Sequence, residues 1–337
     1  IAMKDGLGAE ALSVVVDTLE QMEGSEVDEL ILGAVRSSNE SQMRVQLIRL
    51  LAKRNVTGAT EELLKQAAGS DPSVSIAAFQ ALKSLAGFDE LPSLIALTKE
   101  CRNDSVRDAA VNAVCGACKN NGRVDRSGAL VLKELKTSTT TVEKESWIRV
   151  LTLLGHAEAL PAITATLQSA DRKLVQSTIS SLSRWPDPTP IESLFDVVEG
   201  DFGSSLRRHA LTAVLQLAAT AADRRTATDD QLIAWFQRAN KAVQSVREKQ
   251  LLISGLGRVK HIESVRLAES YLDDPNVKTE AAYAIVNAAG PLAKGPDYKA
   301  VQTVLKKISG VKDQHLLSQI ENLHRDIKST AAKVNKY

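Results

Sequence analysis

Aromatic residues, cysteines and long apolar runs are all scarce in this 337-residue chain, and each scarcity removes a class of protein. Aromatic side chains make up 4% of the sequence while Ala, Leu and Val dominate, a balance that suits helices packed through small residues better than a β-sandwich. Three cysteines, Cys101, Cys115 and Cys118, are too few to staple a chain of this length, so a hydrophobic core has to hold it. No stretch reaches the roughly 18 consecutive apolar residues of a membrane span, since even the run from Ala210 to Ala222 is short and contains Gln216. Period-two alternation bounded by hairpin turns is missing as well, which leaves no case for a sheet.

The motifs of catalysis are equally thin. There is no Gly-x-Ser-x-Gly elbow and no phosphate loop, and Gly255-Leu256-Gly257 lacks the third glycine of a dinucleotide turn. His156, His209, His261, His315 and His324 include no pair three or four residues apart, the spacing that sets two metal ligands on one helix face. Cys115-Gly116-Ala117-Cys118 has the spacing of a zinc or haem-attachment pair. No His follows it, Cys101 is the only further thiol, and both cysteines fall on the apolar stripe that begins at Ala109, so they read as small buried hydrophobes. Asn39, Asn55 and Asn103 open Asn-x-Ser/Thr triplets, but Asn103 stands where a turn or cap residue is wanted. The sequence therefore predicts no catalytic residue, no metal site and no cofactor.

With 44% apolar and 25% charged residues, the chain is nonetheless rich enough in apolar surface to bury a core. It opens on Ile1 and an acidic stretch where a secretory leader would be basic and then apolar, which is the expectation for a processed or excised part of a longer polypeptide. The formal net charge of +1 conceals a gradient: residues 1–100 carry −6, residues 101–200 are balanced, and residues 201–337 carry +7. In an elongated array such a trend survives as an acidic end and a basic end.

A repeat supplies the array. Asp71-Pro72-Ser73-Val74 opens an apolar-periodic helix through Ala77, Ala78, Ala81, Leu82 and Leu85. Comparable openings stand at Asn103 to Val106, Asp171 to Leu174 and Asp274 to Val277. Val74 and Val106 are 32 residues apart, as are Leu174 and Leu206, a length that holds two helices and two turns. Leu85-Ala86-Gly87 with Leu91-Pro92 is matched 69 residues later by Leu154-Gly155 with Leu160-Pro161, placing Gly past one helix and Pro at the start of the next. Asp-Pro-x-Val, small residues at helical spacing, Leu-Gly and Leu-Pro together resemble the short HEAT-like repeats of the phycobilisome-lyase type, common in bacterial proteins, over roughly residues 40 to 290. The resemblance implies paired helices in a curved superhelix, with the second helix of each pair lining its concave face, and adaptor work more often than catalysis.

The expected fold is thus all-α, a right-handed α-solenoid of about nine antiparallel helix pairs forming one domain over 1–337, with irregular inserts near 119–128, 220–242 and 291–300. The middle insert leads into a helix capped by Thr228 or Asp229, with Leu232, Ile233, Trp235, Phe236 and Ala239 as its core side. Basic residues recur near successive helix starts at Arg107, Lys144, Arg207, Arg247 and Lys278, and Asp71, Asp104, Asp171 and Asp274 recur just before or at them. These acids are expected to cap helices and to meet the basic residue of a neighbouring repeat, and the basic ladder is the candidate contact for an acidic partner. The function expected is a non-catalytic protein-binding scaffold, with head-to-tail self-association through the charged ends as one version. The alternatives are the repeat part of a larger enzyme whose catalytic domain lies elsewhere, and a nucleic-acid-binding groove. The groove is disfavoured by the near-neutral charge and by the scatter of Trp147, Trp185 and Trp235.

Overall fold

The computed structural model describes residues 9–120 and 122–334, so Ile1 and the acidic start up to residue 8 lie outside the described residues. The described chain is helical throughout, with nineteen α-helices. In order they are α1 (Ala9–Gln21), α2 (Ser25–Ser37), α3 (Ser41–Lys53), α4 (Thr60–Ala67), α5 (Pro72–Leu85), α6 (Leu91–Glu100), α7 (Asp104–Lys119), α8 (Val124–Thr137), α9 (Thr141–Leu154) and α10 (Leu160–Ala165). There follow α11 (Arg172–Leu182), α12 (Ile191–Glu199), α13 (Gly203–Arg224), α14 (Asp229–Asn240), α15 (Val246–Leu256), α16 (Ile262–Glu269), α17 (Lys278–Leu292), α18 (Tyr298–Leu305) and α19 (Gln314–Val334). The chain divides into two compact units, residues 1–163 and 164–337.

Side chains at the turns start and stop these helices. The Asp71 carboxylate accepts from Ser73 N at 2.9 Å and Val74 N at 3.4 Å, and Pro72 fills the first helical position of α5, where its missing N–H costs nothing. Asp171 repeats the arrangement at α11 through Lys173 N and Leu174 N. At α7 the cap is Asn103, which accepts from Val106 N at 3.1 Å; Asp104 is already inside the helix. Asp274 lies too early to cap α17 and instead tightens the turn by accepting from Asn276 N at 3.0 Å. Thr228 with Gln231 and Ser245 with Glu248 form reciprocal capping boxes at α14 and α15. Gly155, at φ 64°, closes α9 in the left-handed conformation that a Cβ disfavours.

The breaks in the repeat are shorter than the sequence suggests. Helix α7 continues to Lys119 and α8 begins at Val124, so both ends of the first insert are helical, Arg126 to Gly128 included. Residues Thr220 to Arg224 extend α13, which stops only at Arg225 in the left-handed region. Pro291 lies inside the last turn of α17, and the third insert shrinks to residues 293–297. On α14, Leu232, Ile233, Phe236 and Ala239 are buried as expected, whereas Trp235 is half-buried at the edge and donates its indole N–H to Glu192 at 3.2 Å.

In the first unit α1, α3, α5, α7 and α9 pack side by side as one layer, and α2, α4, α6 and α8 form a second layer upon them. In the second unit α11, α13, α15, α17 and α19 make the corresponding layer, covered by α12, α14, α16 and α18. Small residues let the odd helices approach. Ala77, Ala78 and Ala81 of α5 and Ala110, Ala113 and Ala117 of α7 are buried, and a Cβ built on Gly116 would sit 2.1 Å from the Lys83 carbonyl oxygen. Larger side chains fill the space between layers: Phe79, Trp147, Phe195, Phe236 and the leucines at 47, 50, 51, 63 and 82 are fully buried. Each such side chain removed from water contributes roughly 1.5–3 kcal/mol before ordering costs are subtracted.

Candidate functional site

The basic ladder is positioned by the odd layer of each unit. Arg107 lies on α7 and Lys144 on α9 in the first unit, while Arg207 lies on α13, Arg247 on α15 and Lys278 on α17 in the second. The five do not share one environment. Arg107 is consumed internally: its guanidinium pairs with Asp104 of its own helix at 2.6 Å and donates to the Cys101 carbonyl at 2.6 Å. It lines a cleft of about 380 Å³ together with Lys99, Arg102, Thr140, Glu143 and Trp147, and the Lys99 ammonium is itself paired with Glu134. Lys144 is half-buried on the first turn of α9, and the Lys278 ammonium lies beside Gly310.

Among the described contacts, Asp71, Asp104 and Asp274 do not meet the ladder cation of a neighbouring repeat: Asp104 pairs with Arg107 of its own helix. Asp71 accepts from the Ser41 hydroxyl at the start of α3, and Asp274 pairs at 2.6 Å with Lys249, two residues beyond the ladder position. Asp313 accepts from the Tyr283 hydroxyl at 2.8 Å. A carboxylate before one odd helix therefore reaches the preceding odd helix, but through side chains other than the ladder. These contacts hold the Asp71, Asp274 and Asp313 carboxyls below the usual carboxylate range, by hydrogen bonds from Ser41, Lys249 and Tyr283 respectively.

The second unit contains the exception. On α13, Ser205, Arg208, His209 and Thr212 stand at helical spacing along one outward stripe. With Gln176 of α11 and with Ser245, Arg247 and Glu248 at the start of α15, they line an open groove of about 460 Å³. Arg208 and Arg247 are exposed, and neither forms an ion pair among the described residues. Arg208 reaches only the Ser204 carbonyl, at 3.4 Å. The groove's one carboxylate is engaged elsewhere, since Glu248 is buried and accepts from Gln244 N at 2.9 Å and Ser245 N at 2.8 Å. His209 shares a 2.7 Å hydrogen bond with the Ser180 hydroxyl, and burial lowers its pKa, so the charge of the groove comes from the arginines.

The contrast with the first unit is instructive. The residue after Arg107 is Asp108, which engages Arg149 of α9 at 2.5 Å; the residue after Arg207 is Arg208, which forms no ion pair among the described residues and acts on Glu248 only at longer range. Of the groove residues, sequence reasoning identified Arg247 and the neighbouring Arg207, and missed Arg208, His209 and Ser245. The available signal was the run Arg207-Arg208-His209 inside a polar stripe at helical spacing.

The remaining candidates resolve as packing. Cys115 and Cys118 are buried in α7, and burial pushes the Cys118 thiol up to about 12 and raises Cys115 as well, so neither is a thiolate near neutral pH. Among the described residues no three His, Cys, Asp or Glu side chains converge as metal ligands do. Trp147 and Trp185 are buried and offer no free ring face, and Trp235 is held with Arg238 against Glu192 and Glu199. No helix of the described residues is long and apolar enough to cross a membrane.

Comparison with known proteins agrees with this geometry. The family model for HEAT repeats matches residues 27–115. No curated protein matches the sequence. Among solved structures, one of Kap95p with RanGDP contains a chain 13% identical to this one, aligned over 99% of this chain and 57% of that chain with a TM-score of 0.53. Kap121p is 12% identical, with 98% and 45% covered and a TM-score of 0.48. The complex of CpcE and CpcF of phycocyanin lyase from Nostoc sp. PCC7120 gives 17% identity over 86% and 98%, with a TM-score of 0.36. Residues 27–115 are HEAT repeats, and the chain has the all-α solenoid fold.

Proposed function

We propose that this chain is a non-catalytic protein-binding scaffold and that its partner is acidic. One observation carries the reading: the outward groove of α11, α13 and α15 holds two exposed arginines that form no ion pair among the described residues, while Arg107 and Arg149 of the first unit are paired within the fold. Unpaired exposed cations contribute little to a fold, because solvated charges add at most a few tenths of a kcal/mol each to stability. They contribute more to the encounter and register of an oppositely charged surface. The Kap95p structure, which concerns Kap95p binding to RanGDP, supports a protein partner as work that such a helical stack can do.

Affinity purification of the tagged chain from its native extract, at low and at high salt, tests the reading. The expected result is a reproducible protein partner recovered at low salt and depleted at high salt. Recovery of nucleic acid without protein would overturn it, as would recovery of no macromolecule.

A further inference from the structure

The scaffold reading leaves open what chemistry the second unit's groove recognises. We infer that the groove lined by α11, α13 and the start of α15 docks an extended, Asp/Glu-rich segment of a partner protein, with carboxylates at Arg208 and Arg247. The inference rests on the protein-binding reading above and adds a location and a ligand class to it.

Four observations select that ligand. Positive charge predominates: Arg208 and Arg247 are exposed and form no ion pair among the described residues, and the one carboxylate of the lining, Glu248, is buried and accepts from backbone N–H groups, with Arg208 near enough to favour its charged form. Arginine suits the task, since its planar fork holds a carboxylate through two parallel hydrogen bonds. The rest of the lining includes Ser205, Thr212, Ser245 and Gln176, polar groups that can bond a peptide backbone, beside the buried Leu206. Finally, the groove runs across three helices of one layer, a shape that fits an extended segment better than a single small anion.

Nucleic acid fits less well. Single-stranded nucleic acid is held through aromatic platforms as well as cations, and no Phe, Tyr or Trp lines the groove. A duplex would call for a longer track of cations than the few gathered here.

Fluorescence anisotropy with a labelled peptide of alternating glutamate and serine tests the inference on the full chain, with the glutamine version of the peptide as reference. The glutamate peptide should bind and the glutamine peptide should not. Replacing Arg208→Ser together with Arg247→Ser should weaken binding about tenfold, the effect of about 1.4 kcal/mol. A control that removes the same charge from the first unit, Arg102→Ser with Lys133→Ser, should leave affinity within about twofold, less than about 0.5 kcal/mol by the same conversion. Circular dichroism verifies that each variant is folded, and Arg208→Lys with Arg247→Lys provides a variant that preserves charge while removing the fork. Equal losses in both neutralised pairs would reduce the effect to net charge and overturn the inference. Failure of the glutamate peptide to bind, or tighter binding of a single-stranded oligonucleotide at the same salt, would also overturn it. If a native partner is recovered from extract by the wild type and equally by the Arg208→Ser, Arg247→Ser variant, the groove assignment falls while the scaffold reading stands. If the wild type recovers no partner at all, the scaffold reading falls first.

Discussion

Gly116 sets the distance between two helices, and its role depends on a single missing atom. A Cβ at this position would meet backbone at 2.1 Å, and backbone cannot swing aside as a side-chain tip can. Gly116→Ala should therefore destabilise the chain by about 1–3 kcal/mol, in the range of overpacked cores, measured as a lower urea midpoint. Gly33 is the opposite case: it sits exposed in the middle of α2 with nothing within 4 Å of a built Cβ. Gly33→Ala should raise stability by about 0.5–1 kcal/mol, because alanine loses less backbone freedom on entering a helix. Asp71 yields a prediction in pH. Its folded carboxyl is held low by Ser41 and Ser73, so its contribution is complete above the unfolded pKa near ~3.9 and is lost as pH falls below that value toward the folded one. The stability difference between wild type and Asp71→Asn, followed by urea unfolding, should be level from neutral pH to about pH 5 and then shrink on further acidification. At this scale the sequence was a partial guide. The Asp-Pro-x-Val cap was legible at Asp71, because a cap and its helix are neighbours in the chain. Gly116 was not, since a glycine in a stripe of alanine, valine and cysteine reads as one more small residue until its distance to Lys83 is known.

The helices show the same division between local and distant information. The Thr228 capping box on α14 was readable from its spacing, and Thr228→Ala should cost about 1 kcal/mol in chemical denaturation by stranding the Gln231 N–H. The end of α13 was misread because Thr220 to Arg225 mixes polar residues as a loop does. The alanines there are good helix formers and Ala221 is buried, so the helix continues until Arg225 turns left-handed. The groove was half legible for a similar reason. The stripe Ser205, Arg208, His209 and Thr212 is visible in the sequence, but whether an arginine is paired depends on acids far along the chain, as Arg149 with Asp108, 41 residues apart, and Arg238 with Glu199, 39 apart, illustrate. Helix α1 marks one end of the first unit's layer, and none of its described side chains from Val14 to Gln21 is buried.

Across the molecule, stability should be a sum of neighbour terms, because each odd helix packs chiefly on the next odd helix of its layer and on its own covering helices. Hydrogen exchange followed by mass spectrometry should report this. Amides of α1 should exchange fastest among the first unit's helices, and Gly116→Ala should accelerate exchange in α5, α7 and α9 while leaving α15 and α17 close to wild type. Equal acceleration in α15 and α17 would show that the chain opens as one cooperative body. The repeat rhythm and the all-α class could be read from the sequence, and so could the caps at Asp71 and Asp171, whereas Asp104 and Asp274, read the same way, do not cap α7 and α17; the division into two compact units could not, because it depends on how contacts distribute between helices that look alike in sequence.

The aspartates that reach back one odd helix, Asp71 to Ser41, Asp274 to Lys249 and Asp313 to Tyr283, also bear on how such a chain can change in length over evolution. Each link spans one helix pair and joins the turn before one odd helix to the first two turns of the preceding odd helix. A duplication or deletion of one whole pair brings an equivalent aspartate to an equivalent helix start, so the joint can re-form without any compensating substitution. Gain or loss of half a pair leaves a carboxylate facing the wrong layer. The protein can therefore be lengthened or shortened in cassettes of about two helices, the size at which a repeat array adds one stacking interface.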